Sequence, residues 1–220
     1  MAQFSVLQTR LGEYLNEATA AQWTAIERKA WLNAAKNDVA VELIDIDNSY
    51  LLASPSLTAT VAGTAEYSLP TGYVRIRKVE RNDTTPPMPL LKIDYDRRWL
   101  YDNNERLQIT GSNPVYYIAG EKIGLIPTPT TSTANFIRIH YNALPADMSG
   151  DTDTTGLPTI LDEVIVLGAA VRAFSRFSGD ADNTQYQKFE RMYQEDKAQK
   201  FKLLAHRVAG NRTVRVTDTW

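Results

Sequence analysis

Leu157-Pro-Thr-Ile-Leu-Asp-Glu-Val-Ile-Val-Leu-Gly-Ala-Ala-Val-Arg-Ala-Phe174 is the stretch that decides the fold. From Val164 to Phe174 it is apolar nearly all round, and a helix with no polar face is buried on every side. Thr159 is placed to cap this helix, and Asp162 and Glu163 fall in its first turn, where carboxylates complement the helix dipole. Ser178-Gly-Asp180 closes it and opens the next helix, with Gly as C-terminal cap and Asp as N-terminal cap. The apolar run Val164 to Val171 is far short of the about 20 residues that a membrane helix needs. A helix buried all round requires other elements to cover it, and the chain carries them at both ends.

Toward the N-terminus, Leu7, Leu11, Tyr14, Leu15 and Ala18 recur at three- and four-residue steps and form one face of a helix. A second helix starts near Thr24, because Thr24-Ala-Ile-Glu27 is a capping box in which hydroxyl and carboxylate each satisfy a free N–H. Trp31, Ala34, Ala35 and Val39 continue it as a stripe toward Leu43. Toward the C-terminus, Tyr186, Phe189, Tyr193, Phe201, Leu204 and Val208 share one face of a helix from Ala181 to Val208, about 42 Å long.

Between these ends, residues 54–151 hold nine of the ten prolines and short runs of β-branched and aromatic residues. Leu57–Val61, Glu66–Leu69, Tyr73–Glu80, Val115–Ile118, Lys122–Ile126 and Phe136–Tyr141 read as strands. Ile118-Ala-Gly120-Glu-Lys reads as a tight hairpin turn. Ile137, Ile139 and Tyr141 alternate with Arg138 and His140, as Val74 and Ile76 do with Arg75 and Arg77, which marks strands with one polar face. Asp94 to Asp102 reads as a short helix with Trp99 and Leu100 on its apolar side. The expected fold class is α+β: an α-helical bundle formed by N- and C-terminal helices, with an inserted small antiparallel β domain. Its boundaries are 1–53, 54–151 and 152–209, followed by an extended tail at 210–220.

The chemistry of the chain is sparse. With 220 residues, 43% hydrophobic and 23% charged, it is neither a disordered chain nor a collagen or coiled-coil rod. It has no cysteine, which removes disulfides, thiol catalysis and thiolate metal sites. Met-Ala-Gln-Phe-Ser5 has no basic stretch leading into an apolar core, so no secretory signal is expected. His140 and His206 lie far apart in sequence, and neither a nucleophile elbow nor a phosphate-binding glycine loop occurs. Asp94-Tyr-Asp96 reads as a cap or solvated charge rather than a metal pair. Asp151-Thr-Asp-Thr-Thr-Gly156 with Asp162 echoes a calcium loop, but Pro158 and an Asp in last place oppose it, and a polar linker is the preferred reading. No catalytic residue, cofactor or metal is expected.

Charge is more informative. The net charge is −2, from 24 basic and 26 acidic side chains, which argues against a generic nucleic-acid binder. Residues 1–50 carry 4 basic and 7 acidic side chains, while Lys188 to Arg215 carries 8 basic and 3 acidic. Lys197, Lys200, Lys202 and Arg207 thus sit on an amphipathic helix that leads into a tail with Arg212 and Arg215. Two readings stand: a solvated helix face with a frayed end, or an arm that docks on a partner. Val214 and Val216 alternate with polar residues, which suits strand addition to an exposed sheet edge.

The order of these segments resembles phage head-to-tail adaptor (connector) proteins, including the tail tubular protein A type. The matching stretches are Thr60-Val-Ala-Gly-Thr-Ala-Glu-Tyr-Ser-Leu-Pro70, Val74-Arg-Ile-Arg-Lys-Val-Glu80, Pro114-Val-Tyr-Tyr-Ile118, Ile123-Gly-Leu-Ile-Pro-Thr-Pro129 and Ile137-Arg-Ile-His-Tyr141. Leu157-Pro158 before the buried helix and Gly179-Asp180 before the last one complete the pattern. The resemblance implies a non-enzymatic virion protein of the neck, present in the host cytoplasm during assembly. It implies a ring of about twelve self-associated copies between the portal protein and the tail nozzle or tail tube proteins. It implies, too, that viral DNA passes through the lumen without sequence-specific binding and that no membrane is involved. By position, Phe201–Val208 and Asn211–Trp220 become portal contacts, so the expected docking residues are Lys197, Lys200, Phe201, Leu204, Arg207, Val208, Arg212, Val214, Arg215, Val216 and Trp220. The alternative from another class is a glycan-binding or tail-fibre-attachment module, with Tyr67, Tyr73, Tyr116 and Tyr117 stacking on sugars.

Overall fold

The computed structural model describes residues 2–16, 23–47, 49–101, 113–176 and 184–211, the side chains of 208–211 excepted. The chain is α+β and divides into two compact units, Met1–Leu51 with Leu144–Trp220, and Leu52–Ala143.

The first unit is helical: α1 (Phe4–Tyr14), α2 (Ala25–Ile46), α3 (Asp162–Ser175) and α4 (Thr184–Asn211). α3 packs against all three others, and Val164 to Leu167, Ala169, Ala170 and Ala173 are buried. That agrees with the uniform apolarity of its sequence. Gly168 permits the closest approach: a Cβ there would lie 3.1 Å from the Tyr193 ring and 3.2 Å from the Ala35 Cβ. The helix entry differs from the expected cap. Thr159–Leu161 forms a 3₁₀ turn that feeds α3, with Pro158 in the cap position and no side-chain cap bond.

α1 also lacks a side-chain cap. Its first N–H groups donate instead to loop carbonyls, Phe4 N to Asp153 O at 2.7 Å and Ser5 N to Asp151 O at 3.2 Å, which satisfies donors that a helix start leaves free. On α2 the capping box of Thr24 and Glu27 forms as expected. The buried stripe is turned by one residue, however, to Leu32, Ala35, Val39 and Leu43. Trp31 is only half-buried, and its ring packs edge-on to Trp23 with centroids 5.2 Å apart. Ala18 and Ser178 to Asp180, read above as helix face and helix junction, and the helix start at Ala181 lie outside the described residues.

The second unit contains β1 (Ser56–Thr60), β2 (Glu66–Ser68), β3 (Tyr73–Arg81), β4 (Met88–Pro89), β5 (Leu91–Lys92), β6 (Val115–Ala119), β7 (Lys122–Ile126) and β8 (Thr133–Ala143). They form two four-stranded sheets, in the orders β1-β8-β3-β4 and β2-β7-β6-β5. Val79, Phe136, Ile137 and Ile139 of the first sheet share one apolar cluster with Tyr67, Tyr116, Ile123 and Leu125 of the second. The wholly antiparallel expectation is corrected at one pair, since β5 runs parallel to β6. β4 and β5 escape the sequence pattern because two residues cannot show an alternation. Tyr95–Leu100 is a 3₁₀ turn with no buried residue, and Trp99 stands 70% exposed. Its aromatic side therefore does not face the core as expected.

Within the β6–β7 hairpin, Tyr117 pairs with Gly124. The tyrosine ring lies where a Cβ on residue 124 would stand, 2.1 Å from that position. Only glycine fits beneath it.

Candidate functional site

The expected docking residues on α4 divide by what they touch. Lys197 Nζ donates to Glu42 at 3.0 Å and lies 4.9 Å from the Tyr193 ring centroid. Burial pulls the Lys197 ammonium down, but the Glu42 and Tyr193 contacts outweigh it, so its pKa lies above the ordinary lysine value. Lys200 is half-buried, 3.6 Å from Asp196 one turn earlier. Phe201 packs against the helical core and Leu204, 1% exposed, belongs to it. Lys197, Phe201 and Leu204 hold α4 to the rest of the unit, while Lys200 pairs within α4 itself. The physical reason is that the apolar stripe of a long amphipathic helix is covered first by its own fold.

Arg207 is exposed. The Val208 side chain, and Arg212, Val214, Arg215, Val216 and Trp220, lie outside the described residues. Beside Arg207, the outward face of the last turns presents Lys202, Leu203 and His206, with Leu203 46% exposed. The sequence signal for this face was available: it is the set of residues one step off the Phe201–Leu204 stripe.

Other candidates are held by structural contacts. His140 Nε2 lies 2.7 Å from the Glu80 carboxylate. Asp153 Oδ2 accepts from Ser149 N at 2.6 Å and Gly150 N at 2.8 Å, and these two backbone bonds hold its carboxyl below the usual range. Asp162 is buried, accepting from Ala2 N at 2.9 Å and from the Thr155 hydroxyl at 3.3 Å. The carboxylates of the calcium-like spacing thus serve a loop and a helix start separately. Among the described residues no cluster of three or more His, Asp or Glu is placed to hold a metal ion.

Of the four tyrosines expected to stack on sugars, Tyr73 is half-buried and the other three are corrected. Tyr67, Tyr116 and Tyr117 are buried, between 6% and 9% exposed. Tyr67 donates its hydroxyl to Thr64 O at 2.6 Å, and Tyr117 donates to Glu66 at 3.2 Å. Aromatic residues that fill a small β core leave no face for a pyranose ring.

One buried cation was missed altogether. Lys36 is fully buried, and its ammonium donates to Pro145 O at 3.1 Å and Ala146 O at 2.6 Å, with Asp147 at 3.5 Å. Burial lowers its pKa against the pull of Asp147. The lysine pins the chain where it returns to the helical unit, so its role is structural.

Among the described residues no helix is long and apolar enough to cross a membrane. The family model described as SU10 adaptor protein matches residues 2–217. No curated protein matches the chain.

Proposed function

Because the chain belongs to the SU10 adaptor protein family, we propose that it is a structural virion protein, a head-to-tail adaptor that joins the portal to the tail and forms part of the DNA conduit. The observation that carries this reading is the extent of the match, residues 2 to 217, which includes both units and most of the tail. In this reading the helices of 1–53 and 152–209 form a bundle, with the β domain of 54–151 inserted and the tail of 210–220 extended from it. About twelve copies close into a ring by a repeated heterologous contact. The ring sits in the virion neck, assembles in the host cytoplasm, and needs neither cofactor nor catalysis.

Portal docking uses the outward face of the end of α4, Lys202, Leu203, His206 and Arg207, continued by Arg212, Val214, Arg215, Val216 and Trp220. Tail nozzle or tail tube proteins take the opposite side of the ring. Weak contacts suffice, because each copy holds two neighbours and the portal at once. The near-neutral chain suits a passage for viral DNA, since every phosphate contact in a basic lumen would add to a salt-sensitive grip.

Light scattering after size exclusion tests the reading. With the portal protein present, the mass of the portal complex grows by a symmetric multiple of 24.7 kDa. Deletion of Gly210–Trp220 abolishes that growth. A chain that never joins an intact portal ring refutes the proposal.

A further inference from the structure

The outer face of the first sheet is a charged surface to which the adaptor reading gives no role. On β8, Ile137 and Ile139 enter the apolar cluster, so Arg138 and His140 face the other way. Cross-strand pairing sets Glu80 beside Arg138 and Lys78 beside His140, and Leu57 of β1 meets Arg138 from the other edge. A bulge between Ile76 and Lys78 adds Arg77 to this side, where it lines a depression of about 390 Å³ with Leu52, Lys78 and His140. Glu80 is the one carboxylate among these side chains, and Lys78 and His140 both contact it. Arg77 and Arg138 have no carboxylate partner among the described residues, and the Arg138 Nε is buried without a hydrogen bond. Leu52 is 50% exposed and Leu57 48%.

Two features decide what this face takes. Phosphate would answer the arginines but leave both leucines in water. A protein surface that offers carboxylates and apolar atoms answers both, and arginine is enriched at such interfaces. The chain itself supplies that complement. Residues 52–143 carry 10 basic and 8 acidic side chains, a net +2, while the remainder carries 14 and 18, a net −4. Within the remainder, residues 144–156 hold Asp147, Asp151 and Asp153 and no basic residue. Asp147, although 3.5 Å from the buried Lys36 ammonium, keeps its side chain 71% exposed, and Asp151 is exposed as well.

We propose that the cationic face of Arg77, Arg138, Leu52 and Leu57 docks on the acidic loop around Asp147 and Asp151 of a second copy of this chain. Unlike surfaces meet, so the contact is heterologous and repeats from copy to copy. The contact takes its biological setting from the adaptor reading, but its chemistry stands on the isolated chain.

Sedimentation equilibrium of the full chain at low ionic strength, without portal, is the test. The parent chain self-associates, and association weakens as salt screens the charges. Arg77→Glu and Asp151→Lys each lower the association constant about tenfold or more, with unchanged thermal melting as the check on folding. An equimolar mixture of the two variants restores association, because each altered face then meets its new complement. A chain that stays monomeric throughout, an Arg77→Glu variant that associates like its parent, or a mixture that fails to recover overturns the proposal. Binding of a short duplex oligonucleotide that depends on Arg77, in a chain that does not self-associate, also overturns it and assigns the face to nucleic acid. Portal docking is absent from this experiment, so failure here and failure of the adaptor reading are read separately.

Discussion

Two glycines separate the two units. In the helical unit Gly168 sits in α3, and an added Cβ would meet Tyr193 and Ala35 at 3.1 and 3.2 Å. In the β unit Gly124 lies under Tyr117, and an added Cβ would stand 2.1 Å from the ring. The helical core is one continuous cluster, mostly of aliphatic side chains with Phe4, Trp23 and Phe189 among them, so a displaced neighbour has many others to lean on. The β unit divides its core between two smaller clusters, and Tyr117 belongs to the minor one with Ile93, Val115 and Ile126. Where a core is small, one ring has one place to go. The units therefore tolerate the same chemical change to different degrees, and that difference is measurable.

Gly124→Ala produces the largest effect. The Tyr117 ring must leave its place over the hairpin, which costs about 1–3 kcal/mol by the usual penalty of overpacking. Urea unfolding followed by circular dichroism reads the loss, and a melting curve identical to the parent would break the comparison. In a double-mutant cycle with Tyr117→Ala the two losses are less than additive, since the clash exists only while the ring is present.

An intermediate effect belongs to the helical unit and depends on pH. Tyr14 donates its hydroxyl to Glu163, and burial, then this bond and the carboxylate charge, push its pKa up to about 12. A folded-state pKa above the unfolded value near 10 means that the native state binds more protons between the two. The stabilisation is fully present below about pH 10 and is lost as pH rises toward about 12. Tyr14→Phe costs about 1–2 kcal/mol at neutral pH, the value of a hydrogen bond to a charged acceptor, and flattens the stability profile above pH 10. An unchanged alkaline slope in the variant would show that another group carries it.

Gly168→Ala gives the smallest change. The neighbours yield a few tenths of an ångström, and alanine recovers up to about 1 kcal/mol of helix propensity, so the net shift stays within about 1 kcal/mol of zero. A loss as large as that of Gly124→Ala would show that the helical core is as unforgiving as the β core.

Legibility in the sequence follows the same division. α2 and α3 could be read because their signals are local: a capping box at Thr24 and Glu27, and an uninterrupted apolar run after Glu163. The hairpin at Gly120 and the alternation of Ile137, Arg138, Ile139 and His140 were legible for the same reason. The two-residue strands β4 and β5 were not, and neither was the parallel pairing of β5 with β6, which depends on where distant segments meet. The exposure of Trp99 contradicted its composition-based reading, because an aromatic residue signals burial only where a core reaches it. On α4 the exposed face of the last turns lies one step round from the Phe201 and Leu204 stripe. Leu204 carries the helical period and so fills the core, while Leu203 interrupts the period and stays outside.

By itself, the sequence determined the type of the long elements, the α+β class and the pattern of a phage adaptor, because periodicity, caps and segment order are properties of neighbouring residues. Only the tertiary structure decided which charges are free. Lys36, Lys197 and Lys200 read alike as cations, yet the first is buried against two carbonyls, the second is bound to Glu42, and the third is paired with Asp196. Arg77 and Arg138, unremarkable in a strand pattern, emerge on one sheet face through a bulge and a register, with Lys78 and His140 between them. Charge in a sequence is only a count. Its availability to a partner depends on desolvation and on which opposite charge the fold brings within about 4 Å.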